Sequence, residues 1–405
     1  MLSLSLNGYT RQQVIDVLHS KYAARNISFR YDLLDKNDVF KKTLDNVQDG
    51  KVSMASLAQI KRTAKFQIYD DDTIDWLSDR IQPFCLFKMP DGKHIEFPLG
   101  IFLLSSPTRK ESGVMIKGTD YTLSDFGDQT WSDVGDLTWE QLQEEKIKTR
   151  NYVRDVEAYD GLVVLIDDKF DSRYVINEGT NYKDEVVKIL NSAGITKINI
   201  ADTDAVLTKS IEFEPGKEKL YAINELLRQI NFNQLYVDVN GYYTSTSYKS
   251  PTTRAADYTY VDDELSVTYS GMTEELDIYN VPNKWVVVRS NAEQEPLASI
   301  YVNESAESPT STVNRGRTIV DYRELEDIAS QESLDAYVQR IAQEASQIYG
   351  KIVFETAIMP FHDFADVLDI SYSPLGITGK YSETSWSFQL KAGAKMKHEC
   401  RKVVN

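Results

Sequence analysis

Only two cysteines, Cys85 and Cys400, occur in 405 residues, far apart and outside any Cys-x-x-Cys spacing. That pattern excludes a disulfide framework or a zinc ribbon, so each is expected as a buried small apolar residue. Histidine is scarce too: His19, His94, His362 and His398 are all there are, and no GxSxG or HExxH accompanies them. The phosphate-binding glycine patterns GxxxxGK[ST] and GxGxxG are absent, which argues against nucleotide chemistry. No stretch approaches the roughly 18 apolar residues of a membrane span. The opening MLSLSLNGYTRQQ lacks the basic head and apolar run of a secretory signal, so assembly in the cytoplasm is expected. Positive charge is in deficit: 62 acidic against 45 basic side chains leave a formal net charge of -17. A chain so charged repels polyphosphate, and neither nucleic-acid binding nor stable membrane insertion is expected. An acidic wall would nevertheless suit a channel through which DNA slides without sticking.

With 41% apolar and 26% charged residues, the composition is that of folded globular proteins, and the length suggests two to four domains. Thr10 and Gln13 fit a capping box, Tyr9 and Val14 a hydrophobic staple, and Val14, Leu18 and Tyr22 share one face of a first helix that docks on a neighbouring surface. From about residue 27 to 121 the signals are those of strands. Ala64, Phe66 and Ile68 alternate, residues 83–89 and 94–104 flank an Asp91-Gly92 turn, and residues 114–121 add another strand before Asp125-Phe126-Gly127. This part reads as a small antiparallel barrel or sandwich.

Residues 130 to 250 mix helices and strands. Val186, Ile189, Leu190 and Ala193 line a helix ended by Gly194, with a strand over 195–200. Leu220, Ile223, Leu227 and Ile230 line another after Pro215-Gly216. Residues 235–248 read as a hairpin about Asn240-Gly241, whose two positive φ angles would make a type I′ turn. Strands return at 258–269 and 283–289, and the polar run NESAESPTSTVNRGRT, residues 303–318, reads as an extended loop or mobile arm. A helix capped by Ser330 and stopped by Gly350 carries Leu334, Val338, Ile341, Ala345 and Ile348. The last strand places Ala394, Met396, His398 and Cys400 on one face and Lys395, Lys397, Glu399 and Arg401 on the other.

Two stretches resemble the baseplate hub and tail-tip hub proteins of tailed phages and prophage particles. Residues 30–71, with Lys61-Arg62 and Phe66 to Tyr69, are similar to that family's opening. Residues 386–403, WSFQLKAGAKMKHECRKV, are similar to its closing strands, after a strand ending near Pro360 and Asp366-Val367-Leu368. The order of elements also agrees along nearly the whole chain. The resemblance implies an α+β, β-rich fold: an N-terminal helix or arm (1–26), a first small antiparallel β-barrel (27–128), an inserted mixed α/β domain (129–255), and a second β-barrel (256–405) holding a helix over 331–349. It implies a homotrimer whose paired barrels make a pseudo-sixfold ring, joining a hexameric tail tube to a threefold tip and closing the channel in the virion. The implied partners are the tail tube or distal tail protein, the tape measure protein, and a tip spike or receptor-binding protein. Residues 57–121 and 351–403 show no identity that would mark the repeat. Many tail-tip hubs continue into a stalk, a receptor-binding domain or a peptidoglycan hydrolase, so a separate or longer chain is expected to carry that role.

No catalytic residue, cofactor or metal ligand is assigned. His362, Asp363 and Asp366 are the nearest approach to a metal cluster, but a polar turn after Pro360 accounts for them. His398 and Cys400 share a strand face, where a core pair is the simpler reading than half of a metal site. Asp70-Asp71-Asp72, Asp35-Lys36-Asn37-Asp38 and Asp238-Val239-Asn240-Gly241 offer calcium-like oxygens without the glutamate that closes an EF-hand loop, and read as solvated turns. A cell-wall hydrolase with carboxylates paired only in space, and a glycan- or receptor-binding module using exposed tyrosines among the 24 present, are the rival functions. Zymography on host walls and a glycan-binding assay separate them. Arg315 and Arg317 make a small basic spot. Lys391, Lys395, Lys397, Arg401 and Lys402 gather positive charge at the end of an acidic chain, as a solvated strand face or a subunit contact. Reversing Lys395 and Lys397 to glutamate tests the contact: altered, salt-dependent assembly is the outcome it requires, and assembly unchanged in high and low salt removes it.

Overall fold

A computed structural model describes the chain except residues 22, 71–72, 118–146, 276–278, 290–296, 326–327, 329, 347–349 and 404–405. Tyr22, Asp71, Asp72, the Asp125-Phe126-Gly127 break and Ile348 lie outside the described residues. The first helix, α1 (Arg11–Leu18), begins as its sequence requires: the Gln13 N–H donates to the Thr10 hydroxyl, and the Thr10 N–H donates to Gln13 Oε1 at 2.9 Å. Val14 and Leu18 are buried, and the His19 ring contacts the Leu265 carbonyl and Tyr258 hydroxyl at 2.7 and 2.5 Å, so α1 docks on a distant part of its own chain.

The strands β1 (Ile27–Leu34), β2 (Phe40–Thr43), β3 (Val47–Ala55), β4 (Arg62–Tyr69), β5 (Arg80–Lys88), β6 (His94–Pro98), β7 (Phe102–Leu104), β8 (Thr108–Lys117) and β9 (Ile147–Tyr159) follow. Strict alternation in β4 and β5 buries Ala64, Phe66, Ile68, Ile81, Cys85 and Phe87 and turns their neighbours outward. Next come α2 (Leu162–Asp167), β10 (Tyr174–Ile176), α3 (Tyr182–Ser192), β11 (Ile198–Ile200), β12 (Ile211–Phe213), α4 (Lys219–Gln229), β13 (Tyr236–Val237) and β14 (Tyr243–Ser245), which wrap a separate core around Val186, Ile189, Leu190, Ile223 and Leu227. The remainder comprises β15 (Tyr258–Val261), β16 (Thr273–Glu275), β17 (Lys284–Arg289), β18 (Ala298–Val302), α5 (Thr312–Arg315), β19 (Val320–Leu325), α6 (Gln331–Ser346), β20 (Lys351–Ala357), β21 (Val367–Tyr372), β22 (Ile377–Gln389) and β23 (Lys395–Lys402).

In place of two separate barrels, one 15-stranded sheet runs β16-β20-β23-β22-β3-β4-β9-β7-β5-β1-β2, with β15 beside β21, β21 beside β22, β6 beside β5 and β8 beside β9. No sheet closes into a barrel among the described residues. The early and late strands join at β3 and β22, antiparallel, with Trp386 opposite Met54 and Phe388 opposite Val52. All four are buried in one core shared by both parts of the sheet. Gly50 lies beside this seam, where a Cβ would stand 2.8 Å from Leu390 Cδ1 and would push that side chain aside. A smaller sheet, β18-β17-β19, packs on α6 through Trp285, Val287, Leu325, Leu334, Val338 and Ile341.

Two local expectations are corrected. The hairpin of β13 and β14 forms, but of Asn240-Gly241 only Gly241 has positive φ (+85°). Asp238 takes over the turn, its Oδ1 accepting from the Asn240 and Tyr242 N–H groups at 2.9 Å each while the Gly241 N–H bonds the Asp238 carbonyl, so the loop is longer than a type I′ turn. Residues 303–318 are no mobile arm. Asn303, Ser308, Thr310 and Ser311 are buried. Asn314 donates to the Ala306 and Ser308 carbonyls, and Asn283 ties the Thr310 and Arg317 carbonyls to the Ile319 N–H. Polar composition there satisfies backbone groups in place of a sheet ladder.

Phe388→Ala at the seam is expected to cost about 3–5 kcal/mol, the range for a fully buried phenylalanine, read as a lower urea midpoint with an unchanged slope.

Candidate functional site: a three-way joint and a buried imidazole–carboxylate network

Lys61 and Arg62, at the start of β4, stand where three parts of the chain meet. The Arg62 N–H donates to Asp160 Oδ2 at 2.7 Å, and Asp160 Oδ1 accepts from the Leu162 N–H at 3.0 Å, so one carboxylate fixes β4 to the start of α2. Burial pushes Asp160 up to about 6 against the pull of those donors. The buried Arg62 guanidinium pairs with Asp363, ahead of β21, and lies 5.5 Å from the Trp386 ring. Lys61 Nζ donates to the Ser56 and Ala58 carbonyls at 2.9 and 2.6 Å and to Gln234 Oε1 at 2.8 Å; burial lowers it to about 8 although Asp160 opposes the shift. Tyr236 stacks on Phe364 at 4.3 Å, sealing the same junction from the middle of the chain.

Behind Asp363 lies a fully buried network. Glu383 accepts from two imidazoles: Oε2 from His362 Nδ1 at 2.7 Å and Oε1 from His398 Nδ1 at 2.6 Å. His362 Nε2 meets the Tyr260 hydroxyl at 2.7 Å, and His398 Nε2 the Thr356 hydroxyl at 2.8 Å. Asp366 Oδ2 stands 3.4 Å from His362 Nδ1, and its Oδ1 bonds the Met1 ammonium at 2.5 Å. Burial works against charge on every member, yet Glu383 and Asp366 together raise His362 to about 9. Burial is likewise outweighed at Asp366, which the His362 bond and the Met1 ammonium hold at about 2, and at Glu383, which is lowered chiefly by His362. His398, where burial prevails over Glu383, stays neutral. Two carboxylates thus face one imidazolium and one ammonium, and the network is neutral as a whole.

His362 and Asp366, singled out in the sequence, do meet, but Asp363 turns away to Arg62. His398 meets His362 through Glu383, while Cys400 is a neighbour on its strand and shares no hydrogen bond with it among the described residues. Glu383 had no signal in the alternation. The register of β22 shifts between Glu383 and Ser385, so Tyr381 and Glu383 face inward before the bulge and Trp386 and Phe388 after it. His362, Glu383 and His398 hold enough donors to raise the question of a metal. Ligands on one ion at about 2.1 Å stand about 3 Å or more apart, whereas each Nδ1–Oε separation here is a hydrogen-bond length. The arrangement is built to share protons.

The acidic turns are likewise spent. Asp35 Oδ1 accepts from the Asn37 and Val39 N–H groups, Asp38 pairs with Arg80 and Lys197, Asp238 closes its own turn, and Asp70 pairs with Arg154 and Arg109. Arg315 and Arg317 donate to the Val281 and Tyr279 carbonyls. Lys395 bonds Glu355 at 2.8 Å, and Lys397 is exposed. Among the described residues no helix is long and apolar enough to cross a membrane.

No family profile and no curated protein sequence matches the chain. Solved structures do. The fold is that of phage and prophage tail proteins. A tail protein from Neisseria meningitidis MC58 superimposes with a TM-score of 0.61 over 93% of this chain and 97% of the other, at 10% identity. The 43 kDa tail protein of prophage MuSo2 from Shewanella oneidensis gives 0.58 over 92% and 98%, also at 10%. The prophage tail protein gp18 from Listeria monocytogenes EGD-e gives 0.51 over 91% and 94%, at 10%.

Glu383→Gln leaves the His362 charge without its main partner and is expected to cost about 3–5 kcal/mol, measured by urea unfolding at pH 6. The pH dependence has a definite sign. His362 is raised from 6.5 to about 9, so its contribution is complete below pH 6.5 and lost as pH climbs through 9; that of Asp366, lowered from 3.8 to about 2, is complete above pH 3.8 and lost as pH falls through 2. A wild-type stability decline between pH 6.5 and 9 that is much shallower in His362→Gln is the expected result.

Proposed function

We propose that this chain is a structural protein of a phage tail, placed as the hub of the baseplate or tail tip. The observation that carries the reading is the end-to-end match to tail proteins, 93% of this chain on 97% of the Neisseria meningitidis protein. Likeness at such low identity speaks for fold, and the resemblance of residues 30–71 and 386–403 to hub proteins adds the more particular role. Three copies form a ring in this reading. The β1–β9 and β15–β23 portions supply the two halves of each subunit's large sheet, with the mixed domain inserted between them. The ring joins a hexameric tail tube to the tip and closes the channel, with a tube or distal tail protein, a tape measure protein and a tip spike or receptor-binding protein as neighbours.

Two features support an assembly role without catalysis. The carboxylate–imidazole cluster is sealed in the core, where no polymer substrate reaches it. The outer face of β18-β17-β19 exposes Ile300, Val320 and Tyr322 by 60%, 51% and 56%, on strands paired so that Ile300, Val286 and Tyr322 lie side by side. Contiguous apolar surface of this kind marks contact with other proteins.

Sedimentation equilibrium tests the ring. A species near three times 46.2 kDa, annular in negative-stain images, is expected; a 46.2 kDa species across the full concentration range, or a dimer, overturns the trimer.

A further inference from the structure

Leu77 is 99% exposed, more than any other large apolar side chain among the described residues. One exposed leucine is ordinary on a protein surface, but the loop that carries this one is held rigidly. Ile74 is buried, and Trp76 packs on the same core with the Arg154 guanidinium 5.1 Å from its ring. Two aspartates then close the turn. Asp75 Oδ1 accepts from the Leu77 N–H at 3.0 Å, and its Oδ2 accepts from the Ser78 hydroxyl at 2.6 Å. Asp79 Oδ2 accepts from the Asp75 N–H at 2.9 Å and from Lys41 Nζ at 2.6 Å, which ties the loop to β2. β2 itself exposes Phe40 by 57%. The leucine is displayed on a preformed knob, so docking it costs little ordering entropy.

The same chain carries a surface that suits it. On the outer face of β18-β17-β19 the paired residues form rungs centred on Lys284, Val286 and Val288. Apart from Lys284 at one end and Glu324 at the other, every side chain in those rungs is aliphatic or aromatic. The end that holds Lys284 is also the basic one. Arg315 and Arg317 stand there, just ahead of β19, bonded to the Val281 and Tyr279 carbonyls and to no carboxylate among the described residues. Arg317 further lies 4.8 Å from the ring of Tyr279. The knob has the opposite sign: from Thr73 to Asp79 it contains two carboxylates and no basic residue, and Asp79 is spent on Lys41 while Asp75 forms no ion pair among the described residues.

We propose that the knob of one copy docks on the β18-β17-β19 face of a second copy, with Leu77 on the rung of Ile300, Val286 and Tyr322 and Asp75 toward the end that holds Lys284, Arg315 and Arg317. A preformed apolar anchor meets an apolar sheet face, and unlike charges set the orientation. Arginine and tyrosine at the rim are the residue types enriched at protein interfaces. The contact deepens the assembly reading given above and rests on it for the presence of a second copy.

The test uses the full chain, whose own cysteines are both buried. A Leu77→Cys chain is mixed with an Ile300→Cys chain and treated with a short bismaleimide. A covalent pair of unlike variants is expected; links only between like variants overturn the contact. Leu77→Ser should raise the concentration needed for assembly about tenfold or more while leaving Tm unchanged, because so exposed a side chain supports nothing in the fold. Arg317→Glu should weaken assembly most at low salt, and Val175→Ser, on an exposed strand of the mixed domain, should not alter it. The outcomes keep this contact apart from the ring. Three-copy wild-type particles with no 77–300 link, and Leu77→Ser assembling like wild type, overturn the contact alone. A 77–300 link in a chain that never reaches three copies upholds the contact and overturns the ring. A wild-type chain that stays at 46.2 kDa without a link overturns both.

Discussion

A guanidinium buried in protein must be paired, because its desolvation is offset only by a carboxylate and good hydrogen bonds in fixed positions. Arg62 is 2% exposed, and the groups around it come from different stretches: Asp363 from the approach to β21, the Trp386 ring from β22 and the Leu99 carbonyl meet its guanidinium, and Asp160 from the entry to α2 meets its backbone N–H. Moving the approach to β21 would strand the buried guanidinium, and moving the entry to α2 would strip the buried Asp160 carboxyl of its donors. The early strands, the middle domain and the late strands thus converge on one residue, whose backbone N–H holds Asp160 and whose guanidinium holds Asp363, and Lys61 reinforces the joint through Gln234.

The same logic governs the core behind the joint. Glu383 is inward-facing only because a bulge shifts the parity of β22, and once inward it needs two donors, which His362 supplies from the loop before β21 and His398 from β23. His362 then carries the charge that balances Asp366 and Glu383. The tight turn formed by Asp363 and Asp366 therefore serves two neighbours, with Asp363 directed to Arg62 and Asp366 to His362 and Met1. Joint and network are consecutive links of one polar chain.

Much of the local structure was legible in the sequence. The capping box of α1, the alternation of β4 and β23, the stripe of α6 and the glycine after α3 are rules of period and cap acting within a few residues, and they hold in the structure. What could not be read is nonlocal or exceptional. The pairing of β3 with β22 joins residues more than 300 positions apart and merges the expected barrels into one sheet. Glu383 sits on the far side of a bulge, where period-two reading places it on the wrong face. Residues 303–318 look disordered by composition, yet their serines, threonines and asparagines serve as hydrogen-bonding scaffold. The site candidates shared this fate: His362, Asp366 and His398 were visible, but the residue that unites them was not.

Joining the two portions at β3 and β22 also removes two edges that would otherwise stand open, leaving β2 and β16 as the ends of the long path. Open edges invite indiscriminate pairing, which proteins suppress by keeping them short and charged. β2 spans Phe40–Thr43 and carries Lys41 and Lys42; β16 spans Thr273–Glu275 and carries Glu274 and Glu275. Lys41 is held by Asp79 and Glu275 by Lys351, so the charges that guard the two ends are themselves fixed by the fold, and a strand docking on either end would have to displace an ion pair.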